Sequence, residues 1–237
     1  MTASLAAGAA LWLLSVGLGR LSGIWPAPWN GVGYAAAYLL PAGLCLFLLR
    51  REARALLAAP ARAAWRRVLP LLPFFLLAVP VVSDITAAIT GQETGGAALA
   101  GEPFLYAVLA HALLPAFLEE GLYRMALLPL FRRGAPRAAV PLTALLFALS
   151  HSSVGQMPYA FVGGLFLGFA AVRGGSAVCA FAFHFVNNLL SLCWQTFAPP
   201  RVAVYGTLCV LCVLGGAVML LQKRRETAPV CRERRKP

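Results

Sequence analysis

Two neighbouring carboxylates, Glu119 and Glu120, lie within an apolar stretch from Phe104 to Leu130 of a chain that has only eight acidic residues. A charged side chain at membrane depth costs free energy and is by default a candidate functional residue. On a helix, the i, i+4 spacing places Glu120 and Arg124 on one face, whereas Glu119 points about 100° away. We therefore expect Glu120 to pair with Arg124, because a buried charge needs a partner, and Glu119 to be available for chemistry.

All three histidines of the chain, His111, His151 and His184, lie in or at the ends of apolar segments. A single intramembrane histidine is usually a hydrogen-bonded packing residue, and we interpret His111 in this way. The other two have polar or aromatic companions at helical spacing: Phe147 precedes His151 by four residues, and Asn188 follows His184 by four. Each pair is expected to share one helix face.

The polar side chains agree in depth. At ~1.5 Å per residue, Glu119 and His151 each lie about 17 Å from the end of their apolar segment that adjoins a basic loop. By the same count, His184 lies about 12 Å and Asn188 about 18 Å from that side. A carboxylate, two imidazoles and a carboxamide are thus predicted at about one level of the membrane.

This set of side chains suits the hydrolysis of an amide by water. Glu119 can accept a proton from water and return it to a leaving amine, and His151 can hold the same water. His184 and Asn188 can donate hydrogen bonds to the oxyanion of a tetrahedral intermediate.

A zinc site is the main rival interpretation. Glu119, His151 and His184 would supply one carboxylate and two imidazoles and leave one coordination position open. The motif HExxH is absent, but separate helices can contribute ligands without it. We prefer a reaction without a metal or other cofactor, because neither a further ligand nor a carboxylate that would orient the histidine ligands is evident.

A serine nucleophile and a proton relay are two further interpretations of the same residues. Serines surround His151 in the sequence Ser150-His151-Ser152-Ser153, but the chain has no GxSxG motif, which disfavours a serine nucleophile. Glu119, Glu120 and the histidines could instead form a proton relay in a transporter or a membrane scaffold. The absence of an internal repeat argues against the transporter.

The composition predicts the elements that must hold these residues. Hydrophobic residues make up 60% and charged residues 12% of the chain, and the mean hydropathy is +0.78; a soluble domain carries about twice that charge. We predict an all-α polytopic membrane helical bundle that forms one integral domain over residues 1–237. On the sixth apolar segment, Gly163, Gly164 and Gly168 predict close helix packing. About eight transmembrane helices are expected, over Ala3–Gly19, Gly31–Leu49, Val68–Val82, Phe104–Leu130, Val140 to about Gly155, Met157–Val172, Ser176–Phe197 and Val202–Leu221.

Most basic residues fall in three blocks between or after these segments, and the positive-inside rule predicts that all three face the cytoplasm. Both termini are then cytoplasmic, and residues 222–237 form a basic tail. Because topology accounts for the net charge of +12, we expect the lipid bilayer and no nucleic acid as a partner. The blocks contain Arg50, Arg51, Arg54, Arg62, Arg66 and Arg67, then Arg132, Arg133 and Arg137, and finally Lys223, Arg224, Arg225, Arg232, Arg234, Arg235 and Lys236.

The order and spacing of the polar residues resemble the three motifs of the CPBP family, the CAAX-protease and bacteriocin-processing (Abi-type) intramembrane endopeptidases. Each motif is weak alone, but the three together in one helical membrane protein are specific. The resemblance covers about Phe104 to Trp194, so residues 104–197 are interpreted as the catalytic core. The motifs are Glu119-Glu120-x-x-x-Arg124, Phe147-x-x-x-His151 and His184-x-x-x-Asn188.

The resemblance implies an eight-span helical core whose active-site cavity opens toward the cytoplasm. It implies that Glu119 and His151 activate water and that His184 and Asn188 bind the oxyanion. Glu120, Arg124 and Phe147 then support the site.

The resemblance leaves the substrate open. The family was long described as metal-dependent and more recently as glutamate-dependent without metal, so zinc remains an alternative. The Ala-, Arg- and Gly-rich composition suggests a bacterial inner membrane. A membrane-embedded or membrane-anchored peptide or protein is the expected substrate, with peptide maturation, bacteriocin immunity and protein sorting all open as roles.

Overall fold

The computed structural model describes residues 2–24, 29–48, 58–91, 103–151 and 153–233, and within these ranges every regular element is a helix. The prediction of an all-helical polytopic bundle is therefore confirmed. The helices of the described residues are α1 (Thr2–Ser22), α2 (Trp29–Leu48), α3 (Arg62–Thr90), α4 (Phe104–Gly134), α5 (Ala139–Leu149), α6 (Met157–Gly174), α7 (Ala177–Phe197) and α8 (Arg201–Glu233).

Six of these helices contain a stretch long and apolar enough to cross a membrane, whereas α2 and α5 carry shorter apolar stretches. Helix α3 begins at Arg62 rather than at Val68, through a 3₁₀ turn at Leu69–Leu71. Residues 49–57, which contain part of the first predicted basic block, lie outside the described residues. Helix α3 thus extends the predicted third span toward the basic residues.

Helix α5 is shorter than the sequence predicts. The apolar segment continues to about Gly155, but the helix ends at Leu149, so it is only about 16 Å long against a hydrocarbon core of about 30 Å. The Ser150 hydroxyl donates to the Phe147 carbonyl oxygen at 2.7 Å, and His151 Nδ1 lies 2.8 Å from the same oxygen. Both side chains bind the carbonyl group of Phe147 near the end of the helix. Because they compete with the backbone for this group, the helix ends just before His151.

Helix α4 contains two π-helical segments, Val108–Leu113 and Gly121–Leu127, that the sequence did not predict. A proline follows each segment, Pro115 after the first and Pro129 after the second. Proline has no N–H to offer to the carbonyl four residues earlier, so each π segment contains a carbonyl group without its α-helical donor. Wide turns of this kind are frequent at functional sites, and Arg124 lies in the second.

Helices α5 and α6 pack closely through glycine. A Cβ atom added at Gly164 would lie 2.9 Å from the Cα atom of Ala144, and one added at Gly168 would lie 2.8 Å from Val140 Cγ1. A larger side chain would require a shift of the Ala144 backbone at the first position and of the Val140 side chain at the second. The prediction of close packing for this small-residue surface is confirmed.

Hydrogen bonds tie the basic segments together at one end of the bundle, which we call the basic end. Arg173 Nε, at the end of α6, donates to the Arg67 carbonyl oxygen at 3.3 Å. Gln222 Nε2 of α8 donates to the Arg66 carbonyl oxygen at 2.8 Å. The bundle therefore has a basic end and an opposite end, in agreement with the grouping of charges predicted from the sequence.

Candidate active site

Glu120 and Arg124 form a buried ion pair on α4, as predicted. Arg124 Nη1 lies 2.9 Å from Glu120 Oε1, and the side chains of Arg124 and Glu120 are 0% and 2% exposed, respectively. Arg124 Nη2 also donates to the Gly164 carbonyl oxygen at 3.0 Å. Because one guanidinium joins a carboxylate of α4 to the backbone of α6, the pair fixes the distance between these two helices.

His184 of α7 binds the same carboxylate. Its Nδ1 atom donates to Glu120 Oε1 at 2.8 Å, and its Nε2 atom lies 3.8 Å from Glu119 Oε2. Since Nδ1 carries a proton, Nε2 can donate a hydrogen bond only when the ring is an imidazolium. Glu119 and Glu120 each place one carboxylate oxygen near one of the two ring nitrogens.

Phe147 is the aromatic centre of the cluster. Its ring centroid lies 5.0 Å from the guanidinium carbon of Arg124, 5.0 Å from the centroid of His151 and 5.8 Å from that of His184. Tyr123 packs edge-on against it at 5.1 Å. Phe147, which was predicted to support the site, therefore packs against Arg124, His151 and His184.

His151 lies just beyond the end of α5 and is oriented by the backbone. The Phe147 carbonyl oxygen accepts from His151 Nδ1 at 2.8 Å, which leaves Nε2 of the neutral ring as an acceptor. A neutral imidazole can hold a water molecule, because its acceptor nitrogen can accept a hydrogen bond from the water.

Asn188 lies one turn after His184 on α7. Its Oδ1 atom accepts a hydrogen bond from Asn187 Nδ2 at 3.4 Å. With the oxygen accepting, the Nδ2 group is the donor end of the side chain. The two α7 residues of the third motif thus offer one ring nitrogen and one amide nitrogen.

Glu119 has a partner that the sequence did not predict. The Tyr34 hydroxyl of α2 donates to Glu119 Oε1 at 3.2 Å, and Glu119 is 9% exposed. Tyr34 and Tyr38 have i, i+4 spacing, and their tilted rings pack with centroids 5.1 Å apart. That spacing was the available signal, but it does not specify which helix the tyrosines face.

One cavity of about 580 Å³ brings together the predicted residues Glu119, His151, His184 and Asn188. The convergence expected from helix depth is thus observed. His111 also lines this cavity and is exposed, and its interpretation as a packing residue stays a prediction.

The cavity carries a second polar group that sequence reasoning missed. The Tyr205 hydroxyl of α8 donates to Asp84 Oδ2 of α3, and Arg201 Nη1 lies 3.4 Å from the same oxygen. Trp194 of α7 packs against Tyr205 with ring centroids 5.7 Å apart. These residues join α3, α7 and α8 at the end of the cavity opposite the basic end.

The residues of the zinc interpretation do not form a ligand set. In the part of the chain that the structure describes, no group of three or more His, Cys, Asp and Glu side chains could hold a metal ion. His151 Nδ1 and His184 Nδ1 are engaged by the Phe147 carbonyl and by Glu120, which leaves only Nε2 of each ring for a metal. We therefore derive no catalytic step through a metal.

The segment that carries the three motifs matches a known protein family. Residues 101–190 match the family described as type II CAAX prenyl endopeptidase Rce1-like. No curated protein and no solved structure matches the chain. The matched segment contains all three motifs, whereas Tyr34 and the Asp84–Arg201–Tyr205 group lie outside it.

Proposed function

We propose that the chain is an intramembrane endopeptidase that hydrolyses a peptide bond of a membrane-embedded or membrane-anchored protein, because residues 101–190 match the family of type II CAAX prenyl endopeptidases. The family implies a protease, and the apolar helices make it an integral membrane protein. The observation that carries the proposal is the meeting of Glu119, His151, His184 and Asn188 in one cavity.

Water is activated first. A water molecule in the cavity donates one hydrogen bond to Glu119 and the other to the acceptor nitrogen of His151. Its oxygen attacks the carbonyl carbon of the scissile bond as its proton passes to the Glu119 carboxylate. The hydrogen bond from Tyr34 keeps the other Glu119 oxygen in place during this transfer.

The attack converts the carbonyl oxygen into an oxyanion. His184 Nε2 and Asn188 Nδ2 are the donors available on α7 to stabilise this charge, and they are fixed before the reaction. Glu120 accepts from His184 Nδ1 and so fixes the orientation of the imidazole ring. Arg124 in turn pairs with the Glu120 carboxylate and holds it in place.

The intermediate then collapses. Glu119 gives its proton to the amide nitrogen, the carbon–nitrogen bond breaks, and the products are a carboxylic acid and an amine. Glu119 returns to the carboxylate form, so that no other reactant is consumed. Water is the nucleophile, and no covalent enzyme intermediate forms.

The proposal is tested by cleavage of a candidate membrane peptide with purified protein, wild type against Glu119→Gln. Loss of the base is expected to lower the rate by about 10²–10⁴-fold, because general base catalysis contributes about that much. Asp84→Asn is a matched control, since it makes the same change from carboxylate to amide elsewhere in the same cavity and is expected to retain most of the activity.

Two outcomes would redirect the assignment. Retained cleavage in Glu119→Gln overturns the glutamate mechanism, and loss of wild-type cleavage with a chelator, restored by zinc, favours the zinc interpretation. A protein that shows pH-dependent flux and no proteolysis would instead be a transporter with a proton relay.

A further inference from the structure

The cavity is closed toward the basic end. Its lining there consists of Phe75 of α3, Leu167 of α6 and Phe147 of α5, and all three side chains are buried. Phe75 stacks on Phe183 with centroids 6.1 Å apart, and Phe183 is itself buried. A layer of packed apolar side chains therefore separates the catalytic residues from the basic end.

The lining becomes exposed in the other direction. Ser191 and Gln195, in the last two turns of α7, are exposed, and so is Arg201, the first residue of α8. Among the described residues, exposure of the lining thus increases from the apolar floor toward the end opposite the basic end. We call the part of the cavity around Ser191, Gln195 and Arg201 the mouth.

The mouth and the basic residues lie on opposite sides of the membrane. Along α8, Arg201 lines the mouth and Lys223 follows 22 residues later, a rise of about 33 Å against a hydrocarbon core of about 30 Å. The positively charged residues are also distributed unequally between the two ends of the bundle. Among the described residues, only Arg20 and Arg201 carry positive charge near the end of the bundle that holds the mouth. The exposed basic residues of the other end are Arg62, Arg66, Arg67, Arg132, Arg133, Arg137, Arg173, Lys223 and Arg224.

We propose that the cavity is reached from the non-cytoplasmic face, and that the substrate is a membrane-anchored polypeptide whose scissile bond lies near that face. The positive-inside rule places the basic end in the cytoplasm, so the mouth faces the other side. The two expectations drawn from the sequence, cytoplasmic basic blocks and a cavity opening toward the cytoplasm, are incompatible in this geometry. The inference rests on the proposed proteolytic function for its substrate, but not for its topology.

The depth of the site defines how much substrate must enter. From Gln195 at the mouth to His184 on the same helix is 11 residues, or about 16 Å. An extended polypeptide covers this distance with about five residues, at 3.3–3.6 Å each. The scissile bond is therefore about five residues from the point at which the substrate chain passes the mouth.

The wall between mouth and catalytic residues suits a polypeptide backbone. Gln156, Asn187, Ser191 and Gln195 line it with neutral amide and hydroxyl groups. Such groups can donate to and accept from backbone carbonyl and N–H groups, which an extended chain must keep hydrogen-bonded inside the membrane. A purely apolar lipid chain would offer these groups no hydrogen bonds.

The topology is tested by labelling single cysteines with a membrane-impermeant maleimide in intact cells. Ser191→Cys places a thiol at the mouth, and Ala63→Cys places an exposed one at the basic end. We expect Ser191→Cys to be labelled in intact cells and Ala63→Cys only after permeabilisation. The opposite pattern overturns the proposal.

The background for this experiment keeps the buried Cys45 and Cys179 and replaces the other four cysteines with alanine. Should this parent fail to accumulate, carboxy-terminal fusions to the otherwise unaltered chain decide the same question. A fluorescent protein fused there is expected to fluoresce, and alkaline phosphatase fused there is expected to be inactive. Active phosphatase would place the basic end outside and refute the proposal.

The substrate part is tested with two reporters that share one membrane anchor and one candidate cleavage segment. The segment flanks the anchor on the outer side in one reporter and on the cytoplasmic side in the other. We expect cleavage of the outer reporter only. Cleavage of the cytoplasmic reporter only contradicts the inference, whereas cleavage of neither, with the expected labelling, counts against the proposed protease and not against the topology.

Discussion

Two clusters of the molecule join a carboxylate to an arginine, and they differ in almost every physical respect. The first, Glu120 with Arg124, is almost wholly buried at 2.9 Å and receives a second donor from His184. The second, Asp84 with Arg201, has side chains that are 39% and 67% exposed and a separation of 3.4 Å. The same two chemical groups thus occur once as part of the interior and once at the mouth of a cavity.

The difference shows where charge specifies the structure. In the interior, removing one partner leaves the other charged and without solvent, so the pair determines which helix arrangement is allowed. At the mouth, water and salt screen both groups, and an exposed pair contributes only about 0–1 kcal/mol. We therefore expect the buried cluster to control folding and catalysis together, and the exposed cluster to control neither.

The largest effect is expected from Arg124→Met. This change keeps much of the side-chain volume but removes one partner of a buried ion pair, which costs about 3–5 kcal/mol. His184 loses its orientation at the same time, so both thermal stability in detergent and cleavage should fall. Normal stability in this variant would show that the buried pair does not hold α4 and α6 together.

Gly164→Ala is expected to have the next largest effect. The added Cβ would lie 2.9 Å from the backbone of Ala144. Gly164 is also the residue whose carbonyl oxygen accepts a hydrogen bond from Arg124. Overpacking of this kind costs about 1–3 kcal/mol, which a shift in the thermal unfolding midpoint would reveal. Gly206→Ala is the matched control, because a Cβ there meets nothing within 4 Å and should leave stability unchanged or slightly higher.

Tyr34→Phe tests the residue that positions Glu119. Loss of a hydrogen bond to a charged group is worth about 1.5 kcal/mol or more, so the rate of cleavage should fall about tenfold. Stability should change little, because the phenyl ring keeps the packing against Tyr38. Tyr106→Phe, at an exposed position of α4, serves as the control. A fall in stability with an unchanged rate would assign Tyr34 a structural role only.

Local spacing was sufficient to predict part of this architecture. Apolar runs and basic blocks predicted eight helical segments, and the i, i+4 rule predicted the pairing of Glu120 with Arg124. The depth of each residue in the membrane, counted along its helix at a constant rise per residue, predicted that Glu119, His151, His184 and Asn188 would meet. In each case, the interaction lies within one helix or follows from the length of a membrane span.

The remaining features depend on contacts between distant segments or on the backbone. Tyr34 reaches Glu119 across 85 residues, and Asp84 reaches Tyr205 across 121. No periodicity within either helix specifies such a partner. The π segments of α4 and the early end of α5 arise where prolines and short polar side chains alter the supply of backbone hydrogen bonds, which an average helical pattern does not describe.

Arg201→Met makes in the exposed cluster the change that Arg124→Met makes in the buried one, and it is expected to have the smallest effect. Asp84 keeps the hydrogen bond from Tyr205 and its access to solvent, so stability should change by about 1 kcal/mol or less. Thermal unfolding in detergent and the rate of cleavage are the measurements. A loss of stability as large as that of Arg124→Met would mean that α8 is held to α3 by this pair, and the distinction between the two clusters would fail. A loss of cleavage with normal stability would instead show that Arg201 contacts the substrate at the mouth.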